Sequence, residues 1–264
     1  MKQRYVAASC SGGKDSVAMV LRCFDEGEHI DEIIFCDVME WPEAKATVKD
    51  LADYTGIPLS VLTAPHPFEW YLAEKPVTRG KHAGRLGYGW PTPKNRWCTS
   101  NMKARVVDAH LKRLREEYDL IQMIGIAADE KTRSDGSSGS THTGSTLDYP
   151  LQRYGMRTVD NLEYCEEHGF DFGGLYEEVE RLSCWCCPLQ SLGQLRNLHD
   201  NHPDLWAELK RLDSRAYNSF RYDYTLDELE QLYVNDSYDL VMLDWAEAAA
   251  GCTGNCPNCR GLCR

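Results

Sequence analysis

No run of apolar residues in this 264-residue chain is long enough to cross a bilayer, which takes about 20 consecutive positions. The first residues lack the basic-then-apolar layout of a secretory leader, so a cytoplasmic protein without a membrane partner is expected. A net basic charge is missing as well: 29 Lys and Arg stand against 41 Asp and Glu, a formal charge of −12. That balance speaks against wholesale, nonspecific binding to nucleic acid, while a local basic site stays open. No Gly-x-x-x-x-Gly-Lys-[Ser/Thr] segment occurs, so the Walker phosphate loop is excluded too. Internal repeats are absent. The most local absence lies between Lys75 and Arg105, where there is not one Asp or Glu.

What fills that acid-free stretch is Lys75, Arg79, Lys81, Arg85, Lys94, Arg96, Lys103 and Arg105, interleaved with Tyr88, Trp90 and Trp97. Basic and aromatic residues together suit a phosphate-bearing, stackable ligand; a solvated basic loop is the plainer alternative. Over the whole chain the composition, 42% hydrophobic and 27% charged, is that of a globular chain large enough for one sizeable domain or a domain with an appendage.

A short apolar strand, Tyr5 to Ser9, runs into Cys10-Ser11-Gly12-Gly13-Lys14-Asp15-Ser16. Two glycines let backbone turn tightly and approach a ligand closely. The helix that follows offers unpaired N–H groups and the positive end of its dipole, an anion site in itself. Lys14 adds a mobile charge, and Ser11 and Ser16 add hydroxyl donors. Asp15 could orient a metal ion or a hydroxyl, or simply be a carboxylate at a helix N-terminus.

Strand and helix alternate through the first half. Val17, Val20, Leu21 and Phe24 recur at helical spacing. Glu32 to Val38 predicts a second strand carrying Asp37 near its end. Pro42 opens a helix that Gly56 stops. Pro58 to Leu62 predicts a third strand, Val106 to Leu114 a helix, and Leu120 to Ala128 a nearly all-apolar fourth strand of the kind found inside parallel sheets. The pattern predicts a doubly wound, mostly parallel α/β domain over 1–150, with ligand at the carboxyl ends of its strands. Ser134 to Thr146 reads as a mobile loop. Residues 151–245 read as a helical extension: Thr158 precedes a short helix ending at Gly169, Ser191/Gln194 and Thr225/Glu228 match the capping-box spacing, and Leu205, Leu209 and Leu212 form an apolar stripe beside Trp206. Residues 246–264 form a Cys-rich tail.

Twelve cysteines are many for a reducing compartment, where clustering suggests metal or redox chemistry rather than disulfides. Cys184 and Cys187 have Cys-x-x-Cys spacing, with Cys186 between them. Cys252, Cys256, Cys259 and Cys263 lie among Gly, Pro and Asn, as residues wrapping one zinc ion or iron–sulfur centre would; a reactive tail is the alternative. Cys10, Cys23, Cys36 and Cys165 sit in strand or helix patterns and read as packing residues.

Taken in order, Ser11-Gly12-Gly13-Lys14-Asp15-Ser16, Cys36-Asp37, Arg96-Trp97-Cys98-Thr99 with Lys103, Gly125-Ile126 through Asp129-Glu130 and Arg133, and Cys184-Trp185-Cys186-Cys187-Pro188 form a set. Over roughly residues 4–190 the chain resembles the phosphoadenosine-phosphosulfate reductase-like branch of the adenine nucleotide alpha-hydrolase superfamily, whose PP-loop has this residue order. It looks most like the DNA phosphorothioation sulfur-transfer enzymes and the tRNA-thiolating ATPases. The resemblance implies ATP and Mg²⁺ at residues 11–16, with Lys14 on the β/γ side, adenosine at Asp37, and Gly125, Glu130 and Arg133 bordering the phosphates. It implies a [4Fe–4S] cluster on Cys98, Cys184 and Cys187, with Cys186 as a fourth ligand or facing away; zinc also suits these donors. Arg96 and Lys103 would hold an anionic acceptor, DNA, tRNA or a small molecule, which is adenylated and then receives sulfur from a cysteine desulfurase or another donor. Ala127 replaces the family's usual Arg, and two departures from the sulfonucleotide reductases stand out: the tail lacks their Glu-Cys-Gly-[Ile/Leu]-His motif, and they usually lack the full Ser-Gly-Gly-Lys-Asp-Ser loop present here. A true reductase and a nonenzymatic, nucleotide-gated iron–sulfur subunit are the alternative expectations.

Overall fold

The computed structural model describes residues 2–130, 145–179 and 181–234. The chain divides into two compact units, one of residues 1–65 and 98–184 and one of residues 66–97 and 185–264. This partition differs from the expected break at 150, because the first unit keeps the helices just beyond it and the second takes an insertion from the middle of the α/β pattern.

The first unit is built on a five-stranded, all-parallel sheet: β1 (Arg4–Ser9), β2 (Glu32–Asp37), β3 (Leu59–Thr63), β4 (Asp119–Ile124) and β5 (Thr146–Asp148), in the order β3-β2-β1-β4-β5. Helices α1 (Lys14–Asp25), α2 (Pro42–Thr55), α3 (Arg105–Glu117), α4 (Pro150–Arg153), α5 (Asp160–Glu167) and α6 (Leu175–Glu178) complete it. Period-two alternation along the strands sorts the core into two clusters. Val6, Ala8, Ile33, Phe35 and Met123 join residues of α1 and α2, among them Val17, Leu21, Val48 and Leu51. Ala7, Ile34 and Leu120 face the other way and pack with Leu111 of α3. Helices thus cover both faces, the doubly wound α/β arrangement. Each fully buried aliphatic side chain contributes about 1.5–3 kcal/mol, so the two clusters hold the sheet from both sides.

Local signals set several boundaries. Pro42 occupies the first turn of α2, and Gly56 ends that helix in the left-handed conformation at φ +68°. β4 is shorter than its apolar run, Leu120 to Ala128, predicts. Gly125 breaks it: a Cβ there would lie 2.8 Å from the Asp15 carbonyl oxygen, so only glycine lets the strand end meet the start of α1. Ile126 and Ala127 are buried as loop rather than strand. Thr146, read as loop, begins β5, and most of the expected loop, including His142, lies outside the described residues.

In the second unit, a π-helical turn (Trp70–Glu74) leads to an antiparallel bridge between Pro76 and Leu86. Helices α7 (Leu192–Asn201), α8 (Pro203–Asp213) and α9 (Leu226–Val234) follow. Both capping boxes form. Ser191 Oγ accepts from the Gln194 N–H while Gln194 reaches back, and Thr225 and Glu228 do the same. Trp206, Leu209 and Leu212 are buried along α8. Trp90 anchors the insertion: its N–H donates to Asn218 Oδ1 at 2.8 Å and its indole N–H to Asp213 Oδ1 at 2.7 Å.

Candidate functional site

Where the strand order reverses, β1 and β4 lie side by side, with Ser9 opposite Ile124. The crevice beyond their carboxyl ends is the place where open α/β sheets bind ligands. The glycine loop after β1 and Gly125 after β4 both open onto it.

The loop is held from within by Ser16. Its Oγ accepts from the Ser11 N–H at 3.0 Å, donates to the Gly13 carbonyl at 2.9 Å and lies 3.2 Å from Ser11 Oγ. Ser16 is buried, so its hydroxyl braces the turn instead of reaching outward. Gly12 is left-handed at φ +78°, and a Cβ there would sit 2.7 Å from the Ala44 carbonyl oxygen. Close packing of α2 therefore requires glycine. A Cβ on Gly13 would lie 3.3 Å from Tyr176 Oη, 3.7 Å from Ser11 Oγ and 3.9 Å from Leu182 Cβ, so its absence leaves a small hollow bordered by two hydroxyls and an aliphatic side chain. This hollow sits at the N-terminus of α1, where the dipole favours an anion.

Three groups around the loop carry no signal in the sequence. Tyr176 accepts a hydrogen bond from the Lys14 N–H at 2.7 Å, and its ring lies 5.8 Å from Lys14 Nζ. Burial pushes the Tyr176 phenol well above its usual range. Asn161, fully buried, donates to Asp15 Oδ1 at 2.8 Å and so fixes that carboxylate. Glu43, in the first turn of α2, has a buried Oε2 without a hydrogen-bond partner. Sequence separations of more than 140 positions separate Tyr176 and Asn161 from the loop, and no periodicity announces them.

Asp37 ends β2. Its Oδ2 pairs with Lys45 Nζ at 3.0 Å, while Oδ1 is buried with no hydrogen-bond partner among the described residues. A buried, unpaired carboxylate oxygen costs about 1–3 kcal/mol or more, so it marks a place where a ligand N–H or O–H would be welcome. The hydroxyl-lined hollow and this orphaned acceptor together fit a nucleotide.

The cysteines have a different setting. Cys98 precedes a π-helical turn, Thr99–Ala104, that leads into α3. Within that turn the Met102 carbonyl accepts from Cys36 Sγ at 3.2 Å, and Lys103 Nζ meets Glu40 Oε1 at 2.5 Å. Cys184 Sγ lies 3.7 Å from the same carboxylate oxygen. Burial would lower the Lys103 pKa, but Cys184, Glu40 and Cys36 together reverse this and raise it. Burial lifts the Cys36 thiol to about 11, with Lys103 opposing. Lys103 is thus neutralised locally by Glu40, which weakens its expected role as a free anion grip.

Cys186 is buried and Cys187 half-buried, both in the second unit, as is the exposed Arg96. None of the four cysteines is in a disulfide, and thiolates are soft donors of the kind iron–sulfur or zinc ligation demands. Among the described residues, however, no three His, Cys, Asp or Glu side chains are gathered as a metal-holding group. No chemical step below is routed through a metal centre. Arg133, Cys252, Cys256, Cys259 and Cys263 lie outside the described residues. Glu130 is half-buried, and its N–H donates to the Ala127 carbonyl. Trp90 and Trp97 are 2% and 3% exposed, so their faces are not open for stacking as the interleaved pattern predicts.

The chain matches no family model. It is 23% identical over 208 residues to an uncharacterized protein of Methanocaldococcus jannaschii, an alignment covering 77% of this chain and 40% of that relative. The chain therefore spans less than half the length of the relative.

Proposed function

We propose that the first unit binds ATP with its phosphates at Gly12, Gly13 and Lys14 and its adenosine at Asp37, and that it adenylates an anionic acceptor which then receives sulfur. The observation that carries this reading is the hydroxyl-bordered hollow at Gly13, at the switch point of the sheet, in the same unit as the orphaned Oδ1 of Asp37. In the adenylation step, an acceptor oxygen attacks the α-phosphorus and the bond to the β-phosphate bridging oxygen breaks. Pyrophosphate leaves with the electron pair. Lys14 and the α1 N-terminus stabilise the charge that grows on it. Asp15, oriented by Asn161, would be the carboxylate that holds a divalent cation. Mg²⁺, when bound, would screen the phosphate charges.

Adenylation turns a poor oxygen leaving group into a good one. A sulfide-level sulfur from a separate donor can then attack the activated acceptor atom, whose bond to the AMP oxygen breaks so that AMP leaves with the electron pair; Cys98 and Cys184 are the first unit's candidate sulfur-handling thiols. A [4Fe–4S] centre on Cys98, Cys184, Cys186 and Cys187, and a metal on the tail cysteines, remain part of the proposal that iron and zinc analysis of anaerobically purified protein decides.

The test is product analysis with α-labelled ATP. AMP and pyrophosphate are expected, with loss of turnover in Lys14→Ala and weakened nucleotide binding in Asp37→Ala. Formation of ADP and phosphate, or no binding at all, sinks the reading. ATP binding without turnover under every acceptor leaves the nucleotide-gated subunit, and sulfite release from a sulfonucleotide leaves the reductase.

A further inference from the structure

We infer that α6 is a latch on the phosphate loop: Tyr176 holds the Lys14 amide that a phosphate would take, and the left-handed turn Phe172-Gly173-Gly174 is the hinge on which the phenol withdraws when an anion binds. This deepens the proposed function by naming a regulation of its site. It rests on that reading for the arrival of a phosphate at the loop.

Three observations lead there. First, the amide is that of the first residue of α1, one of the N–H groups that a helix leaves without an internal partner and offers to an anion. It donates to Tyr176 Oη at 2.7 Å, and the Lys14 ammonium lies 5.8 Å from the centre of the same ring. One tyrosine thus engages both groups of Lys14 that would meet a phosphate.

Second, Phe172, Gly173 and Gly174 are left-handed in succession, at φ +57°, +62° and +78°, directly before α6. Phe172 is the only residue other than glycine with a positive φ among the described residues, and a residue bearing a Cβ adopts that backbone only under constraint. Asp171 supplies part of it: Oδ1 accepts from the Gly173 N–H at 2.9 Å, and the carbonyl accepts from the Gly174 N–H at 3.1 Å. The buried Phe172 ring supplies the rest, lying edge-on to Tyr176 at 4.9 Å. Strain is therefore stored beside the contact that closes the loop, and breaking the contact lets it relax.

Third, α6 is built to rotate rather than to leave. It has four residues, and the Val179 N–H closes it onto the Leu175 carbonyl at 2.9 Å. Leu175 and Val179 are buried and keep both ends seated. A Cβ on Gly174 would meet nothing within 4 Å, so that position is free to turn, whereas Gly173 is covered by Glu43, whose Cγ would lie 2.8 Å from a Cβ there.

A latched loop binds phosphate more weakly, by the fraction of molecules in which the phenol has withdrawn. One neutral hydrogen bond sets that fraction, so opening the latch tightens binding by at most about 2- to 12-fold. Gly174→Ala penalises the left-handed backbone of the latched form and moves affinity towards that ceiling. Gly155→Ala is the control. It has φ +69°, nothing within 4 Å of its Cβ position and a place in the same unit, outside the latch.

The experiment uses the full chain with pyrophosphate and with a non-hydrolysable ATP analogue. Calorimetric titration is expected to show about 2- to 12-fold tighter binding for Gly174→Ala and no change for Gly155→Ala. Adding Gly174→Ala to Tyr176→Phe should gain less than about twofold more, because the two act on one contact. Hydrogen–deuterium exchange read by mass spectrometry follows the hinge itself: pyrophosphate is expected to slow exchange over residues 11–17 and to speed it over 171–179. Should circular dichroism show that Gly174→Ala does not fold, Tyr176→Phe without ligand is expected to show the fast exchange over 171–179 by itself. The inference is overturned if bound ligand leaves 171–179 unchanged or slows it, or if Gly174→Ala binds no more tightly than Gly155→Ala. Either result leaves nucleotide binding standing, whereas no binding by wild type or variants overturns both.

Discussion

Tyr176 and a bound phosphate would compete for the same N–H. The phenol oxygen accepts from Lys14 at 2.7 Å and borders the hollow at Gly13. A nucleotide whose phosphate takes that amide must first break the bond. A neutral hydrogen bond of this kind contributes about 0.5–1.5 kcal/mol net. Tyr176→Phe removes the competitor and keeps the ring beside Lys14. The variant is therefore expected to lose about 1 kcal/mol of unfolding free energy and to bind nucleotide about 2- to 12-fold more tightly. Calorimetric titration with a non-hydrolysable ATP analogue, and with pyrophosphate alone, measures the second number; urea melts measure the first. Burial raises the Tyr176 pKa, so the phenol stays protonated across neutral pH and the affinity ratio should not vary between about pH 6 and 8. Unchanged or weaker binding would refute the reasoning: the hydroxyl would then be either a partner of the phosphate or remote from it.

Gly12→Ala should destabilise the first unit by about 2–5 kcal/mol, combining left-handed strain of about 1–2 with overpacking against the Ala44 carbonyl. Gly56→Ala, also left-handed but with nothing within 4 Å, isolates the strain alone, and equal losses in urea melts would show that α1 and α2 are not tightly spaced. Cys36, lifted to about 11, should react with iodoacetamide along a pH curve centred near 11 rather than at the ordinary value of 9. Its folded pKa is the higher one, so its contribution to stability is complete below the unfolded value and is lost as pH rises towards about 11; Cys36→Ala should flatten that part of the stability curve. Glu40→Gln leaves the Lys103 ammonium, a third of it exposed, beside two thiols without its carboxylate, at a cost of about 1–2 kcal/mol by thermal or urea melting, and should speed alkylation of Cys184. A neutral outcome there would mean that the pair is solvated.

Local chemistry accounts for most of the elements. Pro42 and Gly56 bound α2, Ser191 and Thr225 start their helices, and the glycine turn after Ser9 begins α1, because each signal acts within a few residues of its effect. The parallel sheet was legible for a related reason: strands buried on both faces must be apolar throughout. Where β4 stops was not, since Gly125 ends it to meet α1, a partner more than a hundred residues earlier. Composition found the basic insertion but misjudged its tryptophans: Trp90 is tied to Asp213 and Asn218 far downstream, and Trp97 to the Gly89 carbonyl and the Phe68 ring within the insertion.

The amino-acid order alone thus determined the strand–helix alternation, the glycine turn and the acid-free basic stretch, since these follow from periodicity, backbone freedom and charge. Tertiary structure alone decided that Ser16 braces the turn, that Tyr176 caps the Lys14 amide, that Asn161 holds Asp15, that Asp37 keeps a buried oxygen unpaired and that Lys103 is neutralised by Glu40. Hydrogen bonds and ion pairs are made across space at about 3 Å, and a linear chain does not reveal which distant groups will arrive at that distance.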